Sequence, residues 1–326
     1  MRKGTSRVLA IAASIVAVLF IGLVLGQALF PSNEYPSRTR EEAIPLGATK
    51  MLPADDLYPP ILHLDLWYDP VPLAGPINTA GAEDSAFITS DGKTMYFFFT
   101  PDAQVPANEQ LTDQVTGIWR SDWNGTAWSE PQRVWLQSPN KLALDGAAFV
   151  LNDKMWFASA REGHVDMSLF IATYKNGRWG EWTYAGDLLN KEYQVGEMHL
   201  SQGGKQLYFH SGRPGGSGGY DIWVSSHEDG EWQEPVNLWA VNSAESEGWP
   251  FLSQDGKELW FTRVYMGSPA VWRSLKVGGE WTGPELVLSS FAAEPTMDQE
   301  RNLYFIHHFF KDGVMIEADV YVCYRK

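Results

Sequence analysis

One unit recurs through this chain at intervals of about fifty residues, and a period of that size leaves few folds open. Its clearest marker is a tryptophan with a proline three positions on: Trp67 and Pro70, Trp128 and Pro131, Trp232 and Pro235, Trp281 and Pro284. Trp179 and Trp182 form a degenerate fifth copy, and successive markers lie 61, 51, 53 and 49 residues apart. A second marker is a turn followed by an aromatic strand. It reads Ser90-Asp91-Gly92-Lys93 before Met95-Tyr96-Phe97, and Asp255-Gly256-Lys257 before Leu259-Trp260-Phe261. Weaker copies precede Met155-Trp156-Phe157, Leu207-Tyr208-Phe209 and Leu303-Tyr304-Phe305. A third marker is a strand holding Ile118-Trp119, Leu169-Phe170, Ile222-Trp223, Val271-Trp272 or Val320-Tyr321. Alternation with β-branched and aromatic residues makes these strands, and the Gly- and Asp-rich steps between them are tight turns.

The order of the markers predicts how the ends meet. The first Trp-x-x-Pro strand, at Trp67, precedes any turn-plus-aromatic marker, and the last repeat stops at Tyr321-Val322-Cys323-Tyr324 without such a strand. The N-terminal strand must therefore complete the sheet begun by the C-terminus, which leaves no open edge. The expected fold is all-β: a five-bladed β-propeller over residues 61–326, its last blade closed by the N-terminal strand. The blades are placed at 80–134, 144–186, 195–239, 246–288, and 292–326 with 62–73.

These residues resemble the WD40-like β-propeller repeats of the TolB type. The third blade carries the resemblance best, in Tyr208-Phe209, Ser211-Gly212-Arg213-Pro214-Gly215-Gly216 and Gly219-Tyr220-Asp221-Ile222-Trp223. The fourth adds Trp249-Pro250-Phe251 and Ser253-Gln254-Asp255-Gly256-Lys257. Blades two and five each lose a residue at the turn, and blade two lacks the proline. Five blades are one fewer than the six typical of TolB, so the resemblance implies the repeat architecture rather than TolB's own role.

Ahead of the repeats, Val8 to Phe30 carry no charge, and Arg2, Lys3 and Arg7 precede them. A helix of that length spans a hydrocarbon core of about 30 Å. The basic flank predicts a signal anchor within residues 1–30 that keeps its N-terminus in the cytoplasm and places the body outside. The alternative is a cleaved signal peptide with a site near Gly26-Gln27-Ala28, giving a secreted or periplasmic protein. Residues 31–60 are rich in proline and charge, lack periodicity, and read as a linker. The three basic residues of the leader leave 22 of the 25 Lys and Arg against 40 acids in the remainder, a balance of −18. Such a body repels nucleic acid. One cysteine, Cys323, excludes an intrachain disulfide.

Candidate chemistry follows from the first strand of each blade, which faces the central channel. Those strands carry Glu83, Asp84, Asp145, Glu197, Glu247 and Glu294 near their starts, in registers that differ. Arg161, Arg213 and Arg263 follow the aromatic strand in three blades. Together they could bind a sugar, peptide or small anion through forked guanidinium contacts; paired with one another, they pin loops. His199, His210 and the His307-His308 pair are expected as structural groups, and neighbouring strand residues point to opposite faces, so one of the pair at most faces the channel. No metal and no cofactor is assigned. Trp128, Trp232 and Trp281 are expected to pack between blades, with Trp232→Ala costing about 3–5 kcal/mol. No complete catalytic constellation is present. The expectation is a non-catalytic binding module with a protein or glycan partner on one face. The alternative is a carbohydrate-active hydrolase using Glu197, Glu247 and Glu294.

Overall fold

The computed structural model describes residues 35–139, 141–164, 166–190 and 195–326. The expected hydrophobic helix over 8–30 lies outside them. Among the described residues, no helix is long and apolar enough to cross a membrane.

The chain is a β-propeller. Among the described residues its strands fall into five antiparallel units, each running outward from a first strand at the centre. Unit one comprises Ala82–Ile88, Thr94–Thr100, Gly117–Asp122 and Gln132–Arg133. Unit two comprises Ala143–Leu151, Lys154–Arg161, Ser168–Lys175 and Arg178–Tyr184. Unit three comprises Met198–Leu200, Gln206–Ser211, Asp221–Glu228 and Val236–Asn237. Unit four comprises Glu247–Leu252, Glu258–Tyr265, Ser268–Val277 and Glu285–Ser289. In unit five, Ala292–Met297, Leu303–Lys311 and Val314–Cys323 are completed by Val71–Pro72. Each first strand lies against the first strand of the next unit, and the fifth lies against the first. Second strands such as Thr94–Thr100 are buried on both faces because neighbouring sheets cover them, so they read as unbroken apolar runs.

The seam closes as the marker order requires: Val71 pairs with Val322, Pro72 with Tyr321, and Trp67 bridges Arg325. One boundary differs. Ile61 and Leu62 pair with Ser289 and Leu288 of unit four, so the segment assigned to unit five from residue 62 first crosses its neighbour. The N-terminal stretch thus staples units four and five together.

The tryptophan markers form a ring of contacts, each reaching the second strand of the preceding unit. Trp179 donates to the Tyr96 hydroxyl at 3.2 Å, Trp232 meets Trp156 edge-on at 5.7 Å, and Trp281 meets Tyr208 at 6.4 Å. Trp67 meets Trp260 at 5.6 Å across the seam, and Trp128 shares a core cluster with Tyr304. Aromatic pairs at such edge-on angles gain beyond their buried area.

Residues 35–60, expected as a linker, pack onto the propeller and deliver charge into it. Arg40–Ala43 form one helical turn with a Thr39–Glu42 capping box. Arg40 is 1% exposed; its guanidinium reaches the carbonyls of Ile77 and Pro76 at 2.7 Å and Glu83 at 3.0 Å. Lys50 bridges the Glu317 and Asp319 carboxylates, and Asp56 meets His307 at 2.8 Å. Composition alone hid this, because each anchoring side chain is a single charge in a polar run.

Candidate functional site in the central channel

The six acids separate into two sets. Glu83, Asp145 and Glu247 occupy equivalent positions on their first strands, and each is paired with an arginine: Arg40 at 3.0 Å, Arg161 at 2.6 Å and Arg263 at 2.6 Å. Each guanidinium also lies over aromatic rings of the unit whose acid it pairs. Arg161 faces Phe157, Phe170 and Trp182, Arg263 faces Phe261 and Trp272, and Arg40 faces Phe97, Phe99 and Trp119. Arg213 sits over Phe209 and Trp223 and donates to the Leu189 carbonyl at 2.9 Å. These arginines are held by rings and backbone rather than aimed at the channel. Unit one has no arginine after its aromatic strand, and Arg40 of the N-terminal segment fills that place. Burial raises the Glu83 carboxyl to about 7 against the opposing pull of Arg40.

Asp84, Glu197 and Glu294 have no such partner. A bulge in four of the first strands sets apart Ser85, Ala147, Trp249 and Glu294, and Glu197 holds the equivalent place just before the short first strand of unit three: five positions in all. In four of these, Ser85, Ala147, Trp249 and Glu294, φ is positive, between 45° and 56°. Non-glycine residues hold that conformation at a cost of order 1 kcal/mol or more, so the ring packing must enforce it. Ser85, Glu197, Trp249 and Glu294 line a cavity of about 50 Å³. That holds a few waters and no sugar ring.

The electrostatics of this cavity are uneven. Burial, then the Asp84 charge, raises the Glu197 carboxyl to about 7. Burial, then Asp84 and Glu197, raises Glu294 well above the usual carboxylate range. For Asp84 burial acts upward, but hydrogen bonding and charge from His308 outweigh it and leave the group low. His308 Nε2 stands 3.5 Å from Asp84 Oδ1, while His307 turns the other way to Asp56. The side chains of the pair therefore divide as the strand geometry requires, with His308 at the channel.

Below the cavity, a collar closes the axis. Phe87, Phe149, His199, Phe251 and Thr296 stand two residues after the bulge positions, with the His199 ring 4.4 Å from Phe149 and 4.7 Å from Phe251. Burial lowers the His199 imidazole to about 3, which keeps it neutral. On the far side of the collar the channel opens into a mouth of about 620 Å³, rimmed by the turns between first and second strands. Its rim carries Asn152, Gln202, Gln254 and Gln299 with Ser90 and Asp91, all exposed. In the sequence Ser90, Asp91 and Gln254 stood out only as turn signals, and Gln202 not at all. Their recurrence at the same turn in each unit was the available clue that they share one face.

No family model matches this chain, and no curated protein matches it. Among solved structures it is similar to TolB from Acinetobacter baumannii, at 12% identity and a TM-score of 0.41, over 76% of this chain and 55% of that one. The chain thus spans about half of TolB's length. It is similar to an α-L-arabinofuranosidase from Podospora anserina at 10% identity and TM-score 0.46, over 80% of this chain and 98% of that one. It is also similar to a gluconolactonase from Xanthomonas campestris, at 10% identity and TM-score 0.46, over 82% and 98%. Scores below 0.5 carry no functional argument.

Proposed function

We propose that this chain is a five-bladed propeller, anchored in or exported through a membrane by residues 8–30, that binds a protein or glycan without catalysis. The observation that carries this reading is the size of the two hollows on either side of the collar: a mouth of about 620 Å³ on one and only about 50 Å³ beside Glu197 and Glu294 on the other. The mouth falls within the usual ligand-pocket range of about 300–1,000 Å³. Its amide rim offers paired donors and acceptors, which suit sugar hydroxyls or an extended peptide backbone. Glu247, one of the three carboxylates a hydrolase would need, is tied to Arg263 and to the Ser243 backbone and hydroxyl.

A second reading, the carbohydrate-active hydrolase, is favoured by the raised Glu197 and Glu294 carboxyls, since a general acid needs such a shift. Glycan and peptide arrays run beside a hydrolysis screen on the full chain separate the two. Binding that is lost in Gln202→Lys with Gln254→Lys, with no turnover, supports the binding module. Turnover of any glycoside that Glu197→Gln or Glu294→Gln abolishes would establish the hydrolase instead.

A further inference from the structure

Buried carboxylates need compensation, and the channel provides it unequally. Glu83, Asp145 and Glu247 each have a guanidinium. Among the described residues, Asp84, Glu197 and Glu294 have no guanidinium and only two imidazoles beside them, His308 at 3.5 Å from Asp84 and His210 at 3.6 Å from Glu197. Like charges at close range in a low-dielectric interior cost several kcal/mol unless a proton or a cation intervenes.

Position and unsatisfied atoms choose between those two. Asp84 lies one residue before the bulge, where the other units have Gly146, Gly196, Gly248 and Ala293. A side chain is excluded there in unit three, since a Cβ on Gly196 would stand 2.0 Å from His210. Only unit one places a functional group at this level of the axis. One ligating atom each from Asp84, Glu294 and His308 lie within 4.8 Å of one another. His308 is 4% exposed and turns Nε2 to Asp84 at 3.5 Å; Glu197 Oε2, facing the small cavity nearby, has no hydrogen-bond partner, with His210 Nδ1 standing 3.6 Å away. Buried polar atoms without partners call for a water or an ion.

We propose that Asp84, Glu294 and His308 bind a divalent cation on the propeller axis, with the charge of the nearby Glu197 carboxylate adding to the attraction. Ligands on opposite sides of a cation stand about twice the bond length apart: ~4.8 Å at the ~2.4 Å of calcium, and ~4.2 Å at the ~2.1 Å of zinc. The three atoms, all within 4.8 Å of one another, are close enough to share one cation. Carboxylates accept hard cations, and the imidazole shifts preference toward manganese and zinc. Glu294 also lines the small cavity, which has room for waters beside the site. Glu197, beside the cluster, retains 17% side-chain exposure. A cation in the cluster would tie units one and five together at the hub.

The full chain, stripped with chelator, should take up one equivalent of Zn²⁺ or Mn²⁺ by calorimetry, ahead of Ca²⁺, with a raised melting temperature. Asp84→Asn with Glu294→Gln should weaken binding at least tenfold and abolish the thermal shift. If that variant does not fold, Glu197→Gln, beside the cluster, should still weaken binding at least tenfold. No uptake of any of the three metals at millimolar concentration would overturn the proposal in favour of shared protons. So would uptake of equal strength in a variant whose circular dichroism matches the parent.

Discussion

Replacing Arg40 by alanine should destabilise the propeller by about 3–5 kcal/mol, the range for removing one partner of a buried ion pair. Both side chains are enclosed, at 1% for Arg40 and 0% for Glu83. The change also orphans two carbonyls, of Ile77 and Pro76, at roughly 1 kcal/mol each, and these losses fall within the same range. It empties a cage of three aromatic rings as well. At ~2.1 cal/mol/K per residue, the body over 35–326 unfolds with about 0.6 kcal/mol/K, so the melting temperature should fall by roughly 5–8 °C. The sign of the pH dependence follows from Glu83. Its folded value, about 7, lies above its ordinary 4.5, so its contribution is fully present below about 4.5 and is lost as pH rises through about 7. Without Arg40 the carboxylate form loses its counter-charge, so the penalty should be larger at pH 8 than at pH 5. Scanning calorimetry of parent, Arg40→Ala and the double variant with Glu83→Gln measures both effects. A melt within about 1.5 °C of the parent at pH 8, or equal losses at both pH values, would refute the idea that this segment is part of the folded core.

Two further outcomes follow. Trp67 is 1% exposed and spans the seam, whereas Trp232 is only half-buried. Trp67→Ala should therefore cost about 3–5 kcal/mol and Trp232→Ala less, as denaturant midpoints would register; the reverse order would discredit the seam argument. Asp319 and Glu317 share the single ammonium of Lys50, and burial outweighs that partner to raise Asp319 from 3.8 to about 8. Its stabilising contribution is present at acid pH and disappears between about 4 and 8. Asp319→Asn should thus raise the melting temperature at pH 8 relative to the parent while changing little at pH 4. A variant less stable than the parent at pH 8 would contradict the assignment.

The repeat markers made the ring and its closure legible, because one tryptophan per unit does the same packing in every unit. Trp179 shows how far this goes: its marker lacks the proline, yet it reaches Tyr96 as the others reach their partners. The site was legible only in part. Glu83 and Asp84 are adjacent in a regularly paired stretch of strand, so their side chains go to opposite faces, one to an arginine and one to the axis; what the sequence did not announce is the bulge just after them, whose positive φ falls on Ser85. Nothing in serine, alanine or tryptophan announces that conformation; packing around the ring imposes it. Arg40 was missed for a different reason. Its partner lies 43 positions away, and the only signal was a vacancy, an acid in unit one with no arginine after the aromatic strand of its own repeat.

The packed N-terminal segment also decides how the ring responds to tension. A pull on the chain upstream of Tyr35 reaches Arg40 first, then Lys50 and Asp56, then the short pairing at Ile61 and Leu62. Only beyond those does it meet Val71 and Pro72, the strand that latches the circle. Each attachment must yield in turn, so the latch is shielded by a series of sacrificial fastenings, and the circle opens last.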